Sequence, residues 1–352
     1  MKAVVLCAGF GRRLNPLTHS LPKPLIPFFG LPMLELITHK IRQAGFSEIA
    51  INTHFQAEMI HEFLKTEHMK DIFISHEKEI LGTAGVYRGL TNWRQKSDLL
   101  VINCDILSDF PIQELIAHYK EHPNLATMGL IPRREGKTPI VYDGNRILSI
   151  GEAQNLRSPL FSFSGYQILS HSFLEQIEKS NERDLIFYYQ KALTEQKQPI
   201  LGFCHTPLLW EDIGDIKDYW QAHLRFVDLL PKLLHTDTLK NFGIPKHLLE
   251  PLMLTQLRVS KHKQPDQTKI KLEHTKSKNQ EYPGVTIIPP CFIGHDMDLK
   301  EGCEIGPFAF LYGKGSVGKH STVRNSVLMQ KTTDSPVVLQ NQISGPNFDI
   351  FL

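Results

Sequence analysis

Between residue 2 and about residue 107 the apolar positions switch between two periods. Short continuous runs at 3–6, 49–51, 72–74 and 99–102 predict buried strands, because a strand covered on both faces has no polar side with which to alternate. Between them, Leu34, Ile37, Ile41 and Ala44 recur at helical spacing and stop at Gly45, and Ile60, Phe63 and Leu64 repeat the pattern. Strands and helices taking turns predict a mostly parallel sheet with helices on both faces. Ligands then bind at the carboxyl ends of the strands, where the turn after Leu6 and the acid Asp105 both fall.

The pattern changes twice further on. From about 125 to 215 strand-like pieces at 127–131, 146–150 and 160–168 surround a helix near 174–177. From 229 to 282, Leu-rich stretches such as 248–257 give way to aperiodic polar sequence at 260–280, which predicts a helical connector and then a polar linker. At Ile287 a six-residue period begins: Ile287, Ile293, Leu299, Ile305, Leu311, Val317 and Val323, with Gly294, Gly306 and Gly318 at every second step. One inward aliphatic residue per short strand is the hexapeptide signature of a left-handed parallel β-helix, here of about two coils. So short a stack leaves an end coil open, and the expectation is that it packs on the rest of the chain or on another subunit. The chain thus divides into 1–228, 229–282, 283–330 and a tail, 331–352.

Composition narrows the function without naming it. Lys+Arg (39) and Asp+Glu (37) nearly balance, giving a net charge of +2, without the clustered positive excess that phosphate-backbone binding demands. The five cysteines, Cys7, Cys104, Cys204, Cys291 and Cys303, are scattered and form no Cys-x-x-Cys pair, so neither a disulfide framework nor a zinc site is expected; a reducing, cytoplasmic setting is. No apolar run nears the roughly 20 residues that span a bilayer. The apolar start ahead of Cys7 is too short for a signal sequence and meets Arg12-Arg13 at once.

Candidate chemistry concentrates in residues 3–27. An apolar strand enters a turn, Gly9-Phe10-Gly11-Arg12-Arg13-Leu14, followed by Pro16-Leu17-Thr18 and Pro22-Lys23-Pro24-Leu25. Such a loop offers backbone N–H groups and cations to one anion, and proline keeps it from becoming helix. Leu14 stands where a dinucleotide fingerprint needs its third glycine.

On these residues the chain resembles the sugar-phosphate nucleotidyltransferases, which make NDP-sugars from an NTP and a sugar 1-phosphate. The resemblance implies a Rossmann-like mixed, mostly parallel sheet. It places Arg13 over the triphosphate and Lys23 at the reacting centre, within a nucleotide site of Leu6, Ala8, Gly9, Gly11, Arg13, Lys23, Gly82 and Thr83. Asp105, ending the run 99–105, and Asp212, in Trp210-Glu211-Asp212-Ile213-Gly214, match the family's two acids, which suits Mg²⁺: it takes few protein carboxylates and completes its shell with phosphates and water. Arg13, Lys23 and Asp105 are the expected catalytic residues, and no general base is called for, since the attacking phosphate oxygen is already ionised.

Leu81-Gly82-Thr83-Ala84-Gly85 is similar to the family's base-recognition segment, and Thr83 also reads as a helix N-cap. That segment, Asn103-x-Asp105 and Trp-x-Asp-Ile-Gly are most similar to the mannose-1-phosphate guanylyltransferase branch, which implies GTP; uridylyl and thymidylyl enzymes use near variants. Glu152, Gly165 and Tyr166 match sugar-binding positions. Ala153, however, stands where the family places the lysine that holds the sugar phosphate, leaving Lys137 or Arg157 to substitute. That gap keeps open a protein that binds an NDP-sugar without making it. An acyltransferase using His295 or His320 of the β-helix has too few coils to build a wall for its cosubstrate.

Overall fold

The computed structural model describes residues 1–151, 160–195, 198–233, 241–244, 270–271, 284–288, 290–294 and 296–352. Four parallel strands form its centre: β1 (Lys2–Leu6), β2 (Ile49–Thr53), β3 (Phe73–His76) and β4 (Leu99–Asn103). β1 lies between β4 and β2, and β3 flanks β2. Beyond the short β5 (Ile106–Ser108), the sheet is extended by β6 (Ala126–Pro132), β7 (Ile140–Tyr142), β8 (Ile147–Ile150), β9 (Leu160–Leu169) and β10 (Ile200–Cys204). β9 runs antiparallel to β4 and closes the parallel part, so the sheet is mixed.

Alternate residues of the central strands face two separate cores. Val4, Ala50, Leu99 and Val101 pack with α3 (Gly82–Gly89), α5 (His171–Glu178) and α6 (Leu185–Glu195). Ala3, Val5, Ile49, Ile51, Leu100 and Ile102 pack with α1 (Met33–Gln43), α2 (Ala57–Phe63) and α4 (Ile112–Glu121). This is the physical content of uninterrupted apolar runs: both faces of each strand are covered. Gly45, at φ +95°, ends α1 by letting the Phe46 N–H reach back to the Ile41 carbonyl at 3.3 Å.

α7 (Ile216–Leu233) runs through the expected boundary at 228, and its buried face is Tyr219, Ala222, Phe226, Val227 and Leu230. One expected segment needs correction. The segment 331–352 is no tail. The strand Val338–Gly345 stacks in parallel on Thr322–Met329, and Phe348–Phe351 folds back antiparallel to cap it. The Leu-rich and polar stretches expected at 248–257 and 260–280 lie, apart from 270–271, outside the described residues.

The C-terminal unit is a parallel β-solenoid. Ile287 pairs with Ile305 and Ile305 with Val323, three hexapeptides per coil, and each of these side chains lies in the solenoid's own core. Residues of the opposite parity, Phe292, Phe310, Tyr312, Val327 and Met329, turn outward and share a core with Phe28, Phe29, Tyr219 and Phe226 of the first domain. Phe310 lies 5.5 Å from Phe29 and 4.9 Å from His223, ring to ring, and the Phe29 N–H donates to the Tyr312 hydroxyl at 3.2 Å. The expected packing of the stub on the catalytic domain is therefore met along its side, with the end capped by its own last strand.

Candidate active site

The segments bearing Arg13, Lys23, Asp105 and Asp212 meet at the carboxyl edge of the parallel strands, where register puts Leu6 beside both Asn52 and Asn103. From Leu6 the chain passes buried Ala8 and exposed Gly9 into Gly11 at φ +63°, a conformation that favours glycine. A Cβ at Gly11 would stand 2.9 Å from Thr18 Cγ2 and 3.2 Å from Lys23 Cβ, so the turn closes against the second half of its own loop. The Thr18 hydroxyl donates to the Gly11 carbonyl at 3.1 Å and ties the halves together. Two 3₁₀ turns follow, Arg12–Leu14 and Lys23–Leu25, anchored by buried Leu14, Leu17 and Leu25. Arg12 stacks on Phe10, 4.6 Å from the ring centroid, while the exposed Arg13 guanidinium lies over Gly214, where a Cβ would be 2.8 Å from its Nη2.

The two acids come together through the backbone. β11 (Trp210–Asp212) pairs antiparallel with β5 so that Asp212 sits opposite Ile106, and the Ile213 N–H donates to the Asp105 carbonyl at 2.9 Å. Lys23 Nζ lies 2.5 Å from Asp105 Oδ2, and Lys137 is paired with Asp212 Oδ2. Burial alone would lower the Lys23 pKa; the negative charges of Asp105 and Asp212, with Cys104, reverse this and hold it above its ordinary value, so the ammonium stays charged. In both aspartates the second oxygen, Oδ1, is buried without a hydrogen-bond partner. Leaving such an oxygen unmatched costs about 1–3 kcal/mol. Two unmatched carboxylate oxygens from segments adjacent through β-pairing fit a hard divalent cation that takes its remaining ligands from phosphate and water. Among the described residues no group of three or more His, Cys, Asp or Glu side chains is placed to hold a metal ion.

Several expected positions look different in three dimensions. Gly82, φ +75°, leaves no room for a side chain, since a Cβ would meet the Arg183 carbonyl at 2.5 Å. Thr83 does not cap its own helix; α3 starts at Gly82, and the Thr83 hydroxyl accepts from the Leu185 N–H at 2.9 Å. Tyr166 is turned into the core, 1% exposed, stacked on Phe110 at 5.0 Å, with its hydroxyl accepting from Lys40 Nζ at 3.0 Å. Its ring is therefore a supporting group and not a wall of the cleft, a correction to the sugar-binding assignment. Gly165, φ +87°, is buried against Ile106, the residue after Asp105, and a Cβ would come within 2.5 Å of Ile106 Cγ1. Glu152, Ala153 and Arg157 lie outside the described residues, as does His295; His320 is exposed on the solenoid.

Three buried polar residues were not singled out by the sequence. Glu77, 3% exposed, accepts from Asn52 Nδ2 at 2.8 Å and from the Leu81 N–H at 2.9 Å, while Asn52 Oδ1 accepts from the Cys7 N–H at 2.7 Å. This relay fixes the turn before Gly82 to the ends of β1 and β2. Asp109, 4% exposed, accepts from the N–H groups of Leu208 and Leu209 at 3.2 Å each and so holds the approach to β11. Lys40, below β5, donates to the Ser108 carbonyl at 2.8 Å; burial takes its pKa down to about 7 although Asp109 pulls it up. For Glu77 and Asp109 the available signal was a strand end followed directly by a polar residue, which also describes ordinary turns; Lys40, inside α1, carried none.

A Gly-containing turn with neighbouring cations and two half-matched acids at the carboxyl edge of a mixed sheet is an arrangement that suits an anionic, metal-bound ligand in an α/β domain. The nucleotidyl transferase family profile matches residues 2–228, and the chain belongs to that family. The chain is 30% identical over 248 residues to mannose-1-phosphate guanylyltransferase 1 of Arabidopsis thaliana, a match covering 66% of each chain. It is 26% identical over 356 residues to the UTP–glucose-1-phosphate uridylyltransferase of a Synechocystis strain, covering 96% of this chain and 84% of that one. A crystal structure of UDP-glucose pyrophosphorylase complexed with UDP-glucose shares the fold, with a TM-score of 0.54 at 18% identity over 64% of this chain and 98% of that one. No described helix is long and apolar enough to cross a membrane.

Proposed function

We propose that the protein joins an NTP to a sugar 1-phosphate, giving an NDP-sugar and pyrophosphate, with GTP and mannose 1-phosphate or a related hexose or heptose 1-phosphate as first choice. A phosphate oxygen of the sugar attacks the α-phosphorus, and the bond from the α-phosphorus to the bridging oxygen of the β,γ-pyrophosphate breaks. The observation that carries this reading is the pair Asp105 and Asp212, each with one oxygen on a lysine and the other buried and unmatched beside the Gly9–Gly11 turn. Asp105 and Asp212 would hold Mg²⁺, which would supply charge neutralisation for the phosphates. Lys23 holds phosphate at the reacting centre, Arg13 faces the departing pyrophosphate, and Leu6, Ala8, Gly9 and Gly11 shape the backbone cradle. Gly82 and Thr83 border the base, and Glu152 and Gly165 border the sugar. No side chain has to move a proton.

Relatives named as guanylyltransferases favour GTP. UTP with glucose 1-phosphate is the second reading, favoured by the relative that matches 96% of this chain. Pyrophosphate release measured with Mg²⁺ over the NTPs, each with mannose, glucose and heptose 1-phosphates, tests the proposal. One preferred pair is expected. No turnover with any pair, together with tight binding of an NDP-sugar, overturns it in favour of a non-catalytic binder.

A further inference from the structure

Resting on that reading, we propose that Lys137 is the cation that holds the phosphate of the incoming sugar 1-phosphate. The chain has alanine after Glu152, and a dianionic nucleophile brought up to a nucleoside triphosphate must be neutralised by something at that side of the cleft. Arg13 and Lys23 belong to the N-terminal loop on the nucleotide side. Lys137 comes from a different segment, the turn between β6 and β7, and reaches the site by pairing with Asp212.

The turn that carries Lys137 is pinned. Gly136 takes φ +74°, the Arg133 guanidinium bridges the Lys137 carbonyl at 2.6 Å and the Ser162 hydroxyl at 3.1 Å, and the Arg134 N–H donates to the same hydroxyl at 2.9 Å. Ser162 is itself fully buried on β9, so the turn is fastened to the sheet. The Lys137 ammonium lies 5.8 Å from the centroid of Trp210, whose indole N–H donates to the Ser164 carbonyl at 2.7 Å. A surface lysine with no task would not need such a frame. The pair with Asp212 is also incompletely shielded: the lysine side chain is 35% exposed and the aspartate 19%. The lysine side chain thus keeps exposed surface while it is paired with the acid, and Asp212 Oδ1 has no hydrogen-bond partner.

The test compares the full-length wild type with Lys137→Gln and Lys137→Arg. For Lys137→Gln, the KM of the sugar 1-phosphate is expected to rise at least about tenfold with the KM of the NTP within about twofold; Lys137→Arg is expected to recover most of the loss. Calorimetric binding of mannose 1-phosphate and glucose 1-phosphate, which needs no turnover, is expected to weaken by a similar factor in the Gln variant. Thermal melting of all three proteins separates a folding defect from a binding one. A fall in kcat with both KM values unchanged would mean that Lys137 only positions Asp212, and it overturns the proposal. So does an equal rise in both KM values. If the wild type turns over no NTP and sugar pair, the proposed function fails by itself. Calorimetry then still decides Lys137, since equal binding by wild type and Gln variant, or no sugar phosphate binding by either, overturns its role.

Discussion

Replacing Asp105 by asparagine keeps the shape of the side chain and removes one charge from the most constrained point of the site. Asp105 Oδ2 faces Lys23 at 2.5 Å and Oδ1 is the unmatched buried oxygen, so the substitution acts on both at once. A unit charge pair about 4 Å apart at an effective dielectric of about 20 is worth roughly 4 kcal/mol. The amide oxygen keeps a ligand atom in place and retains part of this for the metal. The loss at the transition state is therefore expected to be at least about 2.7 kcal/mol, a hundredfold in turnover. Stability should fall less. The pair is neither exposed nor dry, with side chains 12% and 23% exposed, and its loss should cost about 1–2 kcal/mol, between surface and buried values. Steady-state pyrophosphate release against Mg²⁺ concentration reads the first effect, and urea unfolding midpoints read the second. A variant that folds normally and turns over within about threefold of wild type at saturating Mg²⁺ refutes the metal-ligand role of Asp105.

Gly214→Ala puts a methyl group 2.8 Å from Arg13 Nη2; the exposed guanidinium should swing away, raising the KM of the NTP about five- to twentyfold while stability changes by less than about 0.5 kcal/mol. An unchanged KM would show that Arg13 does not meet the triphosphate. His223 is fully buried among Phe28, Phe29, Phe310 and Tyr312, and burial lowers its pKa to about 3. As pH falls from about 6.5 towards 3 the unfolded chain binds a proton that the native chain refuses, so stability declines, with a limiting slope of about 1.4 kcal/mol per pH unit. His223→Gln should lack that component, and parallel urea midpoint curves for the two proteins between pH 7 and 4.5 would contradict the assignment. Phe310→Ala empties a fully buried position where the solenoid meets the catalytic domain; about 3–5 kcal/mol of stability should be lost, and a change below about 1 kcal/mol would mean that this contact is not a packed core.

Legibility followed the strength of the local signal. β1, β2 and β4 lie where their apolar runs put them, and β3 starts one residue later than the run at 72–74, because the exposed Phe73 belongs to the ladder while Ile72 closes the preceding turn. The six-residue period holds as far as Val323. In the coil after it the spacing shortens, with Val323 pairing with Leu339, and the repeat no longer registers. α6 and α7 are not legible for another reason: their buried faces are largely aromatic and not aliphatic, as in Tyr188, Tyr189 and Ala192 or Tyr219, Ala222, His223 and Phe226, and the partner surface is far away in sequence. In the candidate site, Arg13, Lys23, Asp105 and Asp212, which the fold brings to one edge of the sheet, stand in motif context along the sequence. Glu77, Asp109 and Lys40 do not, since what marks them is burial and partners supplied by other segments, and neither is written locally.

The solenoid and the site are linked through two elements. Lys23 is followed at once by the hairpin Pro27–Phe28 and Leu31–Pro32, and Asp212 is followed at once by α7. Both elements rest on the same outward face of the solenoid: Phe29 meets Phe292 and Phe310, while His223 of α7 meets Phe310 and Tyr312. They also meet each other, since the Tyr219 hydroxyl donates to the Pro27 carbonyl at 2.6 Å. The segment bearing the cation and the segment bearing the second acid thus share one aromatic core, to which the solenoid contributes a wall. A well-packed interior transmits displacement because it has no free volume in which to absorb it. The placement of Lys23 and Asp212 is therefore tied to side chains of the C-terminal unit that lie in this shared core, which gives that short stack of coils a structural reason to lie against the domain by its side.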